Sequence, residues 1–211
     1  MKKSFFGLIV FAVFLPFSAY GETTKTQMFL RQYEEAMQAA QDGKSEESIS
    51  TLKRLAAMGE PMSQVRIARL HLDGEYLPKD EPRAYQLFAK SAATGFPEAV
   101  LWQGYLLVQG QGVPKDVKQG LALMEKAAQT GSYDAQFALC YFYDMELQDA
   151  GKAYYWCSVA TGPANGSDTT VNAMINMLEM KLTPAQIPEI QTKAAAFKPV
   201  EWQYPADLFD K

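Results

Sequence analysis

"GEYLPKDEPRAYQLFAKSAATG" (Gly74 to Gly95) and, 36 residues further on, "GQGVPKDVKQGLALMEKAAQTG" (Gly110 to Gly131) spell one pattern twice. Laid on each other they match Asp80 with Asp116, Lys90 with Lys126, Ala92 with Ala128 and Gly95 with Gly131. One period upstream, "LKRLAAMG" closes on Gly59 in the same way, and Pro61 falls on Pro97. Self-similarity at a fixed interval of about 20 to 50 residues is the signature of a stacked repeat protein.

Each period reads as two helices. In "AYQLFAKSAATG" (Ala84 to Gly95) the residues Ala84, Leu87, Phe88, Ser91 and Ala92 recur at helical spacing, and Gly95 stands where a left-handed residue ends a helix. "AVLWQGYLLVQG" (Ala99 to Gly110) has the same period and also closes on glycine. Between the helices Pro114 blocks continuation, and Asp116 suits the N-cap of the helix that follows. One hairpin of this size cannot bury its apolar face, so neighbours must stack and the array winds into a superhelix.

These residues resemble the Sel1-like repeats (SLR), close relatives of the tetratricopeptide repeat (TPR). Ala99, Gly104, Gly110, Gly112, Val113, Asp116, Ala127, Ala128 and Gly131 carry the likeness in one unit; Ala68, Gly74, Asp80, Ala84, Leu87, Phe88, Lys90, Ala92 and Gly95 carry it in the unit before. The likeness runs from about Tyr33 to Phe197 and thins at both ends. Tyr33 to Gly59 looks like a unit with a shortened loop. Ala135 to Gly162 keeps Ala135, Leu139, Tyr143, Ala153 and Trp156 but has lost about five loop residues. Leu182 to Phe197 resembles the terminal helix of bacterial members, with Thr183 as N-cap and Pro184 at the first helical position.

The resemblance implies an all-α fold, a right-handed α-solenoid of stacked antiparallel helix hairpins (SLR/TPR-like) over residues 22–197. Its units fall at about 27–61, 62–97, 98–133 and 134–166, with capping helices over 168–197. The tail, residues 198–211, is broken by prolines and carries Trp202, Tyr204 and Phe209; it is expected to fold back as a cap over the last helix, with a docking strand as the alternative.

The two ends and the composition place the chain. Its 48% hydrophobic and 21% charged residues over 211 positions are ordinary for a soluble globular protein. Lys2 and Lys3, the apolar run Phe5 to Phe17 and the small-x-small site Ala19 to Gly21 read as a cleaved signal peptide over residues 1–21, with a retained anchor as the alternative. No cysteine follows the run, so a lipid anchor is not indicated. Cleavage lowers the basic count from 20 to 18 against 24 acids, moving the net charge from −4 to −6. An acidic chain lacks the basic stripe that a nucleic acid requires. After cleavage no span of the membrane is expected, and the compartment is periplasmic or secreted.

Cys140 and Cys157 are the two cysteines, and their midpoint falls between Gln148 and Asp149 in the expected turn of their hairpin. Residues equally far from an antiparallel turn face each other, so a disulfide is expected, as suits an exported protein. Two unrelated buried thiols are the alternative. With one histidine in the chain, the set does not make a zinc site, and no metal or cofactor is expected.

Residues for catalysis are not evident. His71, the one histidine, matches Leu107 and Tyr143 in the repeat and reads as a packing residue. "STLK" (Ser50 to Lys53) has the Ser-x-x-Lys form of penicillin-recognising enzymes, but the companion S-D-N and K-T-G elements are absent from the chain. The carboxylate pairs Glu34 with Glu35 and Glu46 with Glu47 are adjacent residues, which do not face each other on a helix.

By analogy with tetratricopeptide units, the first helix of each hairpin should line the concave side. Taking the small residues Ala68, Gly104 and Cys140 as reference, the rows there are Arg69, Tyr105 and Tyr141; Val65, Leu101 and Phe137; and Asp73, Gln109 and Met145. They read as a protein-binding groove with aromatic walls and an arginine at one end. The alternative for the apolar row is packing between repeats. The family implies a non-enzymatic adaptor for a protein partner in the cell envelope. The two competing roles are an immunity protein neutralising a secreted toxin and a weak hydrolase on cell-wall fragments or β-lactams.

Overall fold

The computed structural model describes residues 25–162 and 168–204. The expected signal peptide and the end of the tail lie outside these residues. Ten helices and no strands are found among the described residues: α1 (Lys25–Gln41), α2 (Ser45–Ala57), α3 (Pro61–Asp73), α4 (Glu81–Ala92), α5 (Pro97–Gln109), α6 (Val117–Gln129), α7 (Tyr133–Met145), α8 (Ala150–Ala160), α9 (Thr169–Glu179) and α10 (Gln186–Ala195). α1 pairs with α2, α3 with α4, α5 with α6 and α7 with α8, while α2, α4, α6 and α8 each also pack on the helix that follows. The core is therefore one continuous cluster, to which every helix contributes.

The repeated aspartate explains why the loop is spelled alike. Asp80, Asp116 and Asp149 accept hydrogen bonds from the backbone N–H groups of Arg83, Gln119 and Lys152, at 2.9, 2.9 and 3.0 Å. Each carboxylate satisfies a donor that the first turn of its helix leaves open. The same residues donate their own N–H to carbonyl oxygens of the preceding helix, those of His71, Leu107 and Tyr143, at 2.9, 2.9 and 2.8 Å. One residue thus caps the second helix of each of these three hairpins and fastens it to the first.

Small residues set how closely the helices cross. A Cβ built on Gly104 would stand 2.6 Å from the Gly120 carbonyl oxygen and 2.9 Å from Met124 Cγ. In the next hairpin that slot holds Cys140, which is bonded to Cys157 across α7 and α8 with their Cα atoms 5.1 Å apart. The expected disulfide is present. The loop between α7 and α8 spans residues 146–149 against 110–116 in the preceding hairpin. It is shorter by three residues, and the other two of the five are missing from α8, which has 11 residues against 13 in α6.

The C-terminal end departs from expectation at two places. α10 begins at Gln186, two residues beyond the position expected for its start, and it has no side-chain N-cap. Gln186 Oε1 instead accepts hydrogen bonds from the N–H and the hydroxyl of Thr183, both at 2.9 Å, which holds Thr183 and Pro184 in a turn. α9 and α10 each pack against α8. The tail, expected as a cap over the last helix, instead runs back along the array: Val200, Trp202 and Tyr204 hydrogen-bond to residues at the ends of three earlier hairpins.

Candidate functional site

An aromatic ladder crosses the first helices of three consecutive hairpins. The Arg69 guanidinium on α3 lies 5.5 Å from the Trp102 ring centre on α5 and is held by Glu98 at 3.5 Å. Trp102 meets Tyr105 edge to face at 5.6 Å, Tyr105 meets Phe142 of α7 at 5.9 Å, and Phe142 meets Tyr141 at 6.1 Å. Phe88 of α4 stacks on Trp102 at 5.6 Å, so the indole is held by a ring as well as by the guanidinium. Ring pairs of this kind add about 0.5–1.5 kcal/mol beyond area burial and keep their members in one orientation.

Arg69, Tyr105 and Tyr141, placed in one row by sequence, are joined by this ladder. Tyr141 is 45% exposed and Met145, one turn on, 59% exposed, so the α7 end offers apolar surface to solvent. Asp73 and Gln109 are exposed at the ends of α3 and α5. Of the apolar row, Val65 and Leu101 are buried in the core. Both pack within the array, the alternative weighed for them. Phe137 is half-buried and stacks on Tyr133 at 6.2 Å.

Glu98, Trp102 and Phe142 are the participants that sequence reasoning left out. Trp102 and Tyr105, three apart on one helix, share a face. That spacing was the available signal.

The remaining candidates are not gathered into a site. His71 Nδ1 donates to the Pro78 carbonyl oxygen at 3.0 Å, bracing the loop that leads to Asp80. Ser50 and Lys53 are exposed on α2, and Glu35 pairs with Arg31 at 2.9 Å on α1. Among the described residues no cluster of His, Cys, Asp or Glu is arranged to hold a metal. At the C-terminal end a cleft of about 480 Å³ is lined by α8, α9, α10 and Pro199 of the tail. There Tyr154 donates to Glu179 at 2.8 Å and accepts from Gln191 at 2.8 Å, tying α9 and α10 to α8. Burial, then the bond to Glu179, pushes this phenol's pKa up.

Stacked hairpins with an interhelical staple and a continuous core define a helical repeat protein. Sel1 repeats are detected at residues 61–96, 97–132 and 134–160. Among solved structures, a protective antigen present in uropathogenic Escherichia coli strains and displaying an SLR fold is similar, at 21% identity and a TM-score of 0.51 over 86% of this chain. The chain spans 47% of that protein's length, and the likeness is one of fold. A Sel1 repeat protein from Oxalobacter formigenes aligns at 25% identity over 60% of this chain and 95% of its own, with a TM-score of 0.47. Helicobacter pylori cysteine rich protein B aligns at 21% identity over 55% of this chain and 97% of its own, with a TM-score of 0.42. No curated protein sequence matches the chain. No helix among the described residues is long and apolar enough to cross a membrane.

Proposed function

We propose that the protein is a non-enzymatic adaptor of the cell envelope, periplasmic or secreted, that holds a protein partner on the face formed by α3, α5 and α7. The observation that carries this reading is the ladder from Arg69 through Trp102 and Tyr105 to the half-exposed Tyr141. Aromatic and arginine side chains held rigid before binding lose little freedom on contact, and such residues dominate measured interface energies. The compartment is supported by the Cys140–Cys157 bond, since disulfides persist outside the reducing cytosol.

Crosslinking in native envelope material, followed by mass spectrometry, compares the wild-type chain with Tyr141→Ala and Tyr105→Ala. Removing an aromatic anchor costs about 2 kcal/mol, or roughly a 30-fold loss of affinity, so the principal crosslinked partner should disappear. Capture of the same partner in undiminished yield by Tyr141→Ala, with its helical circular dichroism intact, would reject this face.

A further inference from the structure

Residues 198–204 meet the array at a regular set of places. The Val200 N–H donates to the Gln129 carbonyl oxygen at 2.8 Å, Trp202 Nε1 donates to the Thr94 carbonyl oxygen at 3.3 Å, and the Tyr204 hydroxyl donates to Glu60 Oε1 at 3.1 Å. Gln129 ends α6 just before the turn to α7, and Thr94 and Glu60 stand in the turns that join α4 to α5 and α2 to α3. Each turn holds a glycine at positive φ, Gly131 at 89°, Gly95 at 82° and Gly59 at 94°. At two of them the tail lies against the bare Cα. A Cβ on Gly131 would stand 3.0 Å from Pro199 Cβ, and one on Gly95 would stand 3.2 Å from Trp202 Nε1. The Phe96 ring closes on Trp202 at 5.2 Å, and Trp202 meets Tyr204 at 5.8 Å.

The spacing has a physical basis. Pro199 to Trp202 is a step of three residues, which advances an extended chain by about 10 Å. Stacked helices are separated by about 8–10 Å. An extended peptide therefore keeps pace with the repeats, presenting one side chain per turn, and the longer reach of the tyrosine covers the last step to Glu60. The attachment is light: Val200 is 71% exposed, and only one of the three hydrogen bonds is backbone to backbone. Glu60 by contrast is fully buried and fixed by the N–H groups of Met62 and Ser63 at 3.0 and 2.6 Å, an acceptor in place whether or not the tail is bound.

We infer that this row of turns is a second docking strip, specific for an extended protein segment carrying a tryptophan and a tyrosine two residues apart, and that the chain's own tail occupies it until such a segment displaces it. The strip shares no residue with the aromatic ladder, and the inference stands without the adaptor reading.

The probe is a labelled synthetic peptide, KPVEWQY, titrated against the full chain and against the full chain with Trp202→Ala and Tyr204→Ala. A short tether holds the tail at about millimolar effective concentration, so a peptide that binds the open strip at about 0.1 mM is weakened roughly tenfold by the wild-type tail. The double variant should bind at least five times more tightly than wild type. Adding Phe96→Ala should weaken that binding at least threefold, and Tyr141→Ala should leave it unchanged. Equal affinity of wild type and double variant, or indifference to Phe96→Ala, would overturn the inference. A concentration-dependent wild-type dimer, abolished by the double variant, would also overturn it, because the occupant would then be the tail of a second copy. If the double variant loses its helical circular dichroism, Tyr204→Phe removes the bond to Glu60 alone and should give a two- to threefold gain. No gain would count against the strip.

Discussion

Opening the bond between Cys140 and Cys157 tests how far one crosslink supports a hairpin whose loop is three residues shorter than those of the two hairpins before it. The two residues are 17 apart in sequence. In the chain-entropy treatment a closed loop of that length stabilises the folded chain by about 3 kcal/mol. For a protein of this size 1 kcal/mol moves the thermal midpoint by about 2–4 °C, which makes the expected loss about 6–12 °C. Both side chains are fully buried, so Cys140→Ala with Cys157→Ala also removes packed sulfur. Wild-type protein melted with a thiol reductant isolates the crosslink from the packing. Far-ultraviolet circular dichroism should show reduced wild type melting about 6–12 °C below the oxidised form, the alanine pair slightly lower still, and no effect of reductant on that pair. α8 carries both α9 and α10, so the C-terminal hairpins should open first. A midpoint that moves less than about 2 °C on reduction would refute the loop-closure reasoning.

Asp116→Ala removes the cap of α6 while leaving the backbone N–H that bonds to Leu107; a loss of about 1 kcal/mol is expected, read from the urea midpoint, with Asp116→Asn retaining most of it. At alkaline pH, buried and half-buried tyrosines contribute to the pH dependence of stability, Tyr133, Tyr143 and Tyr204 among them. Burial first, and then the neighbouring carboxylates Asp168, Glu125 and Glu60, raise the phenol pKa values of Tyr133, Tyr143 and Tyr204 above their ordinary 10.0. A raised folded-state value means that the stabilisation is complete below the unfolded value of 10.0 and is lost as pH climbs toward the folded one. The melting temperature should therefore begin to fall above about pH 10, and Tyr143→Phe should fall less steeply than wild type.

What the sequence disclosed and what it hid differ by range. The capping aspartates, the close crossing at Gly104 and the cysteine pair all concern neighbours within one hairpin, where spacing alone fixes geometry. Leu101 was ambiguous because a helix packed on both its partner and the next unit has apolar residues on more than one face, and period cannot say which is covered. The ladder's Trp102 is oriented by Arg69 and Phe88 from other helices. The tail was least legible: its bonds to Thr94 and Glu60 span separations of 108 and 144 residues, and a proline-broken segment carries no local mark of what it will lie on.

The aspartate that both caps one helix and ties down another does its work whatever the length of the segment before it. Seven residues precede α4 and α6, four precede α8, and the same pair of bonds forms at each. Doubling a flexible loop costs only about 0.6 kcal/mol in closure entropy. Leu77 is buried in the α3–α4 corner and Gly112 lies against Glu81 in the next, so it is the α7–α8 corner, where Glu146, Leu147 and Gln148 are exposed, that can take a foreign segment such as an epitope or a reporter, provided that the aspartate is kept.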